Sequence, residues 1–341
     1  MNTFHKPVLL KEVLEFLDIK KDCWYIDCNL GGGGHTEEIL KLGGKVIGID
    51  LDKEALEEVS KRLKNYIDQG KLILVQDNFK NLDQILINLR HSGDEHSEDA
   101  RIISNNSPFN IQHSISGILF DLGTSSHQLD KKDRGFSFNS DEKLDMRMDQ
   151  TLNIPTAADL VNVLHEGELK DLFEKFGEEK FSKRIAKAIA EYRKKKRIET
   201  THELSQIIVS SVPRSKNKIH PATLVFQALR IAVNDELNAL KETLPKAFEI
   251  LSPGGRLVVI SFHSLEDSIV KTYFNSLTDK NPDSSSLRGA ESDEAISNNL
   301  TMKQFNNVKI LTKKPIDPTL DEVYDNPRSR SSKLRALEKL A

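Results

Sequence analysis

The sequence has few cysteines and no long apolar run. Two cysteines in 341 residues, Cys23 and Cys28, exclude a disulfide framework and favour a reducing compartment. No stretch approaches the ~18–20 apolar residues that span a bilayer, and the first residues lack a signal-peptide core. Hydrophobic residues make up 38% of the chain and charged residues 30%, which is typical of a globular protein with one large or two moderate domains. We therefore expect a cytoplasmic protein without a membrane partner.

Patterns for metal binding or nucleophilic catalysis are also missing. His91, His96 and His113 fall in one polar stretch, but without the tight spacing of metal ligands. The two cysteines do not form a C-x-x-C pair, and no Ser-His-Asp combination is convincing. The sequence thus predicts no metal site and gives the cysteines no catalytic role.

The net charge of −3 conceals one basic region. Residues 181–230 contain 12 Lys and Arg against 3 Asp and Glu. Such a region is compatible with binding a polyanion through one face. A solvated helix surface explains the same excess about equally well.

The most informative stretch is Trp24–His35, which reads W-Y-I-D-C-N-L-G-G-G-G-H. Its pattern predicts a buried strand, a glycine loop and a helix from Thr36 onward. This arrangement brings backbone N–H groups close to a nucleotide-like ligand. Glycines allow this approach because any side chain in the loop would hold the ligand away from the backbone. Asp27 at the strand end would repel a pyrophosphate but suits a cationic or hydroxyl-bearing ligand.

Two further β–α units follow this one. Residues 45–50 predict a second buried strand that ends at Asp50, and residues 71–76 predict a third. Three consecutive units indicate an open parallel sheet with helices on both faces. In Rossmann-like folds an acid at the end of the second strand binds ribose hydroxyls, so Asp50 is a candidate ligand contact.

The rest of the chain predicts that a helical segment interrupts the sheet. A fourth strand ends at Asp121, helical periodicity runs from Thr156 to about Leu240, and a fifth strand follows near residues 256–261. The predicted divisions are a core over 1–135 with a polar insertion at about 91–114, an inserted helical domain over 136–230, and a second core part over 231–341 with a mobile loop at about 278–307.

Three features favour a methyl-donor site over a dinucleotide site. Asp27, Asp50 and the turn P-G-G-R-L at 253–257 together are typical of S-adenosylmethionine-dependent methyltransferases, whose cofactor is cationic and carries no phosphate. Nicotinamide chemistry remains the alternative, although the loop contains no clear G-x-G-x-x-G. Asp121 is a candidate substrate contact, or it only caps its loop. In S-F-H-S-L-E-D, Ser264 or Asp267 is a candidate helix cap.

A series of long motifs resembles one family from end to end. They are H-K-P-V-L-L-K-E-V-L (5–14), D-C-N-L-G-G-G-G-H (27–35), F-D-L-G-T-S-S-H-Q-L-D (120–130), R-G-F-S-F (134–138), L-D-M-R-M-D (144–149), G-E-E-K-F-S-K-R-I-A (177–186), H-P-A-T (220–223), F-Q-A-L-R-I-A-V-N-D-E-L (226–237), P-G-G-R-L-V-V-I-S-F-H-S-L-E-D (253–267) and N-P-R-S-R-S-S-K-L-R (326–335). The sequence is similar to the bacterial 16S ribosomal RNA (cytosine-1402-N4)-methyltransferases, also called MraW.

The resemblance implies a Rossmann-like methyltransferase core with an inserted all-helical domain. It implies methyl transfer from S-adenosylmethionine to the N4 atom of a cytidine in 16S rRNA, within the small ribosomal subunit, with no DNA partner. The cofactor residues carried over by position are Gly33, Gly34, His35, Asp50, Phe79, Asp121 and Gln128; Asp77 is a weaker candidate for adenine. Asn29, Gly32, Thr124, His127 and Ser268 depart from the family's usual Thr, Arg, Val, Pro and Arg.

The expected mechanism is direct in-line transfer without a covalent enzyme–RNA intermediate. Asp121 or a serine of the following loop, such as Ser125, is the candidate hydrogen-bond acceptor near N4. Phe136 or Phe138 is a candidate stacking platform, or both belong to the core. The basic runs 193–197 and 214–218 are candidate phosphate contacts. A nicotinamide oxidoreductase and a non-enzymatic RNA-binding assembly factor remain the alternatives.

Overall fold

The structure, a computed structural model, describes residues 7–91, 102–103, 115–123, 134–138, 140–213, 220–278 and 307–340. The chain divides into two compact units. The sheet unit comprises Met1–Asp50, Leu56–Gly123 and Leu240–Ala341, and the helical unit comprises Leu51–Ala55 and Thr124–Ala239. The domain boundaries expected from the sequence stay a prediction. Within the described ranges, no helix is both long and apolar enough to cross a lipid bilayer.

The sheet unit contains one mixed sheet with the strand order β4-β3-β2-β1-β5-β6-β8-β7. Its described strands are β1 (Trp24–Asp27), β2 (Lys45–Asp50), β3 (Leu72–Gln76), β4 (Ile102–Ile103), β5 (Ile115–Asp121), β6 (Leu251–Ser261), β7 (Val308–Ile310) and β8 (Lys333–Lys339). The five central strands from β3 to β6 are parallel, as the β–α repeats predict. The edges differ from the prediction, because β4, β8 and β7 are antiparallel to their neighbours.

Helices flank this sheet and form the helical unit. In the sheet unit they are α1 (Leu10–Leu17), α2 (Gly34–Lys41), α3 (Lys53–Arg62, whose first residues cluster with the helical unit), α4 (Lys64–Asp68), α5 (Leu82–His91), α12 (Ser264–Ser276) and α13 (Leu320–Asp325). In the helical unit they are α6 (Ala157–Val163), α7 (Glu166–Gly177), α8 (Ser182–Arg193), α9 (Thr201–Ser211) and α10 (Thr223–Asn234), and α11 (Glu236–Ile250) leads from it back to the sheet.

The sheet separates two hydrophobic cores, because successive side chains of a strand point to opposite faces. Tyr25 and Leu119 belong to one core, and their neighbours Ile26 and Phe120 belong to the other. All four side chains are at most 1% exposed. This double burial explains why the central strands read as continuous apolar runs.

Two helices that the sequence predicts as continuous are broken. Residues 51–66 have the composition of one helix, but the structure interrupts it at Leu63, which separates α3 from α4. The pattern of residues 221–240 predicts one helix, but the structure interrupts it at Asp235, which adopts a left-handed conformation (φ +52°). Arg230 and Glu236 bridge this second break with two hydrogen bonds of 2.9 Å. A polar side chain that tolerates the left-handed region thus turns the chain between α10 and α11.

Two predicted loops lie mostly outside the described residues. Of the polar insertion at about 91–114, the structure describes strand β4, which pairs with β3. Residues 279–306 of the expected mobile loop lie outside the described ranges. The insertion therefore supplies at least one edge strand of the sheet.

Candidate functional site

Three carboxylates end neighbouring parallel strands. Asp27 is the last residue of β1, Asp50 of β2 and Asp121 of β5. Since β1 pairs in parallel with both β2 and β5, the three carboxyl ends lie at one edge of the sheet. Ligands of open α/β folds bind at this edge.

The glycine loop between β1 and α2 is held closed by main-chain contacts. The Leu30 N–H donates to the Ile49 carbonyl (3.0 Å), and the Gly33 N–H donates to the Leu30 carbonyl (2.7 Å). Gly33 has φ +68°, and an added Cβ would lie 3.0 Å from a methyl group of Val59. The conformation and packing of the protein itself therefore require glycine at this position.

Asp50 stabilises the same loop. Its Oδ2 atom accepts a hydrogen bond of 2.7 Å from the Gly31 N–H. The acid expected to bind a ribose thus lies against the glycine loop, at the end of β2. This hydrogen bond fixes the orientation of the Asp50 carboxylate.

The side chain of Asp27 is buried at the end of β1. Its side chain is 1% exposed, and Oδ2 accepts a hydrogen bond of 2.7 Å from the Thr36 hydroxyl. Oδ1 accepts a longer bond of 3.3 Å from the Asn29 N–H. Burial raises the pKa of Asp27 to about 6, against the lowering effect of these hydrogen bonds. Asp27 therefore anchors the start of α2, and its buried carboxyl group contributes negative charge beneath the surface of the site when it is ionised.

His35 connects the loop to Asp121. Its buried ring places Nε2 2.9 Å from the Val8 carbonyl oxygen and Nδ1 3.4 Å from Asp121 Oδ2. A carbonyl oxygen only accepts hydrogen bonds, so Nε2 carries a proton. Nδ1 lies at ion-pair distance from Oδ2, and the ring is positively charged only if Nδ1 also carries a proton. The side chain of His35 thus holds Asp121.

Asp121 presents one oxygen that no described residue satisfies. Oδ1 is buried and has no hydrogen-bond partner within the described part of the chain. Burial raises the pKa of Asp121 well above its usual range, and the charges of Asp27 and Glu266 raise it further. A buried unpaired carboxylate oxygen is costly, which makes it a candidate contact for a bound molecule.

The remaining predicted site residues are only partly described. Phe79 follows β3 in a 3₁₀ turn and packs edge-on against Phe120, with ring centroids 5.6 Å apart. Asp77 precedes it and bonds Asn81 (2.8 Å). Ser125 and Gln128 lie outside the described residues, as do the departures Thr124 and His127.

The S-F-H-S-L-E-D motif has mainly structural contacts. His263, and not Ser264 or Asp267, caps α12 in a reciprocal arrangement with Glu266. The predicted caps were wrong because histidine is not among the favoured cap residues. Asp267 instead binds Arg335 of β8 through two hydrogen bonds of 2.7 and 3.1 Å. Glu266 is 2% exposed, and its negative charge acts on Asp121.

The aromatic residues of R-G-F-S-F belong to the core of the helical unit. Phe136 is 7% exposed, and Phe138 packs between His220 (stacked, 4.5 Å) and Phe226 (edge-on, 5.2 Å). The core interpretation of these residues therefore holds. Their neighbour Gly135 has φ +75°, and an added Cβ would clash with the backbone of Lys143 at 2.4 Å.

The chain matches the model of one protein family over nearly its whole length. The model described as "MraW methylase family" matches residues 2–340. The chain belongs to the MraW methylase family. Its predicted Rossmann-like methyltransferase fold and its S-adenosylmethionine cofactor are thereby confirmed, and the nicotinamide alternative is wrong.

Curated relatives of this MraW-family chain match over its whole length. A protein named ribosomal RNA small subunit methyltransferase H from Halothermothrix orenii is 44% identical over 98% of both chains. A protein of the same name from Carboxydothermus hydrogenoformans is 42% identical, over 100% of this chain and 99% of its own. Among solved structures, an rRNA methylase from Streptococcus thermophilus aligns with a TM-score of 0.41 and 12% identity, over 99% of each chain.

Sequence reasoning missed three residues of the site in this MraW-family protein. Thr36 binds Asp27, the Val8 carbonyl binds His35, and Arg62 bonds both Glu37 and the Gly32 carbonyl. The motif H-K-P-V-L-L contained the position of Val8, but a backbone carbonyl gives no residue-type signal. Arg62 lies at the end of α3, where a basic residue is expected for the helix dipole alone.

Proposed function

We propose that this protein transfers a methyl group from S-adenosylmethionine to N4 of cytidine 1402 in 16S ribosomal RNA, in the cytoplasm and on the small ribosomal subunit. Full-length relatives that are 42–44% identical carry a ribosomal RNA small subunit methyltransferase name, which supports this substrate class. The choice of cytidine and of its N4 atom rests on the family resemblance of the sequence motifs.

The residues at the sheet edge fit a cationic cofactor. Asp27, Asp50 and Asp121 end adjacent strands, and such a concentration of acids disfavours a pyrophosphate. By the family pattern, Asp50 would hold the ribose, and Gly33, Gly34, Phe79 and Gln128 would complete the cofactor contacts. The side chain of His35 is committed to Val8 and Asp121, so we propose that its cofactor contact is limited to the backbone.

The observation that carries the proposal is the buried, unpaired Oδ1 of Asp121. The exocyclic amine of cytidine has two hydrogens, and an oxygen that only accepts can bind one of them. That hydrogen bond would orient N4 and draw its lone pair out of conjugation with the ring. Asp121 would therefore touch the reacting atom of the substrate.

The reaction needs one methyl donor and one proton acceptor. When bound, S-adenosylmethionine would supply the methyl group, and the electrons of the broken carbon–sulfur bond would remain on its sulfur. The N4 lone pair forms the new carbon–nitrogen bond, and N4 then loses a proton to Asp121 Oδ1. The ring of His35 lies beside Oδ2 during this step, while burial and the negative charges of Asp27 and Glu266 favour the protonated form of Asp121.

The direct test is incubation of isolated small subunits with labelled S-adenosylmethionine, followed by nucleoside analysis. We expect label in N4-methylcytidine at position 1402. Label in another nucleoside, or none, would overturn the substrate assignment.

Substitution of Asp121 tests the mechanism separately. Asp121→Asn keeps an oxygen for hydrogen bonding but cannot accept the proton, so we expect kcat to fall about 10²–10⁴-fold, the usual contribution of a general base. Calorimetric titration with S-adenosylmethionine checks that the cofactor still binds. A variant with normal kcat would refute Asp121 as proton acceptor and leave the substrate assignment intact.

A further inference from the structure

A stripe of basic side chains lies on the solvent face of α8 and the turn before it. We call Lys180, Lys183, Arg184 and Lys187 the basic stripe; all four side chains are exposed. The opposite face of α8 is buried in the core of the helical unit through Ser182, Ile185, Ala186, Ile189 and Ala190. Lys183 and Lys187 are one helical turn apart, roughly 6 Å along the axis at 1.5 Å per residue.

The basic stripe differs from the neighbouring basic run in its contacts. Within the described residues, no member of the stripe forms an ion pair or a side-chain hydrogen bond. Glu191, one turn beyond Lys187, is bonded to Lys194 (2.8 Å).

The run 193–197, which is the more obvious phosphate contact in the sequence, is largely engaged in contacts within the protein. Arg193 donates to the Val161 carbonyl (2.7 Å), and Arg197 pairs with Asp159 (2.7 Å). Lys196 pairs with Glu203. Binding a phosphate with these side chains would first require breaking existing contacts, whereas the basic stripe has none to break.

We propose that the basic stripe binds backbone phosphates of the substrate RNA, an inference that rests on the proposed function. Lysines and arginines that form no ion pair keep their full charge for a polyanion, and each phosphate they neutralise releases counterions. The helical core beneath them fixes the spacing of the charges. The stripe thus positions the RNA without reading its sequence.

An exposed aromatic ring lies within the stripe. Phe181 is 40% exposed and falls between Lys180 and Lys183 in sequence. Aromatic rings beside basic side chains stack unpaired bases of single-stranded RNA. We extend the proposal to Phe181 as a stacking contact, whose contribution to binding is independent of salt.

The test compares two triple variants that remove equal charge from the same unit. The stripe variant is Lys183→Gln, Arg184→Gln and Lys187→Gln; the control is Lys194→Gln, Lys196→Gln and Arg197→Gln. Affinity for an rRNA fragment that contains the target cytidine is measured by filter binding at several KCl concentrations. The slope of log affinity against log salt should fall by about 2–3 in the stripe variant, at roughly 0.7–0.9 per phosphate, and by less than about 1 in the control.

Phe181→Ala should weaken binding of the same fragment and leave the salt slope unchanged. Circular dichroism melts of each variant check that the helical unit remains folded. An unchanged slope in the stripe variant, or an equal fall in both triple variants, would overturn the proposal.

Two further results separate the causes of failure. Loss of affinity for small subunits but not for the naked fragment would assign the stripe to an acidic protein partner and also overturn the proposal. Because binding is measured without turnover, absence of N4-methylcytidine with wild-type protein would refute the proposed function and not the stripe.

Discussion

Replacing Asp27 by asparagine should make the sheet unit more stable at neutral pH. The Asp27 carboxylate is 1% exposed, pairs with no basic side chain of the described ranges, and bonds the Thr36 hydroxyl and the Asn29 N–H. Asparagine has nearly the same shape, and its oxygen can still accept from Asn29. Its amide can donate to the Thr36 oxygen. The substitution therefore removes a buried charge and keeps the local hydrogen bonds.

The size of the effect follows from the pKa of Asp27. Burial raises this pKa from 3.8 to about 6, so the folded state binds a proton more tightly than the unfolded state. The free energy of unfolding of the wild type must then fall as pH rises between these two values and level off above the higher one. By linkage, the charged side chain costs about 1–2 kcal/mol at pH 5 and about 3 kcal/mol at pH 8.

The fluorescence of Trp24 provides a local assay. Trp24 is the single tryptophan of the chain, is 8% exposed and lies in β1 with Asp27, so its emission reports on unfolding of the sheet unit. Urea titrations at pH 5, 6, 7 and 8 give the free energy of unfolding for the wild type and Asp27→Asn. The gain of the variant should grow with pH by about 1–2 kcal/mol over this range. Asp317→Asn, which removes an exposed carboxylate of the same unit, is the matched control.

A stability gain of Asp27→Asn that shrinks as pH rises would refute this reasoning. If the free energies of unfolding of the wild type and Asp27→Asn change in parallel with pH, Asp27 does not titrate in this range. Other contacts then compensate the cost of burying its charge. The same variant has a functional consequence, because the charge of Asp27 raises the pKa of Asp121. Its removal lowers that pKa, and the acid limb of the kcat/KM profile should move to lower pH.

Two further predictions concern packing and ion pairing. Gly33→Ala forces a left-handed alanine against Val59 and should destabilise the sheet unit by about 1–2 kcal/mol, measured in urea titrations followed by Trp24 fluorescence. Gly167→Ala, by contrast, has open space around the added Cβ and should stabilise the helical unit by roughly 0.5–1 kcal/mol, measured by circular dichroism. Arg335→Met leaves the largely buried Asp267 carboxylate unpaired and should cost about 2–4 kcal/mol, and a double-mutant cycle with Asp267→Asn should recover most of that loss; additive effects of the two substitutions would contradict the pairing.

The sequence predicts the central sheet well because its signals are local. Buried parallel strands are short apolar runs, and each acid at a strand end is visible as the first polar residue after such a run. The sequence alone therefore suffices to place Asp27, Asp50 and Asp121 at one sheet edge. The edge strand β4 is harder to predict from the sequence, since it has only two residues, too few for a pattern to emerge.

Contacts between distant segments cannot be predicted in this way. The bond between His35 and the Val8 carbonyl joins residues 27 positions apart and involves a backbone atom of no particular residue type. The break at Asp235 lies in I-A-V-N-D-E-L, a stretch with uninterrupted helical character. Only tertiary contacts, such as the bond from Asn234 to the Met146 carbonyl (2.8 Å), make the turn favourable there.

The glycines of the loop have a second role that the sequence motif does not reveal. From the sequence, the glycines have a single purpose, which is close approach of a ligand to the backbone. In the structure, side chains added at Gly33 and Gly34 would meet Val59 and the ring of Pro7. The left-handed conformation and packing therefore favour glycine at Gly33, and packing is tight at Gly34, so loss of activity in a Gly33 variant would not by itself demonstrate a cofactor contact. Asp121 is the more discriminating position, because its Oδ1 atom makes no hydrogen bond within the described ranges that a substitution to asparagine would remove.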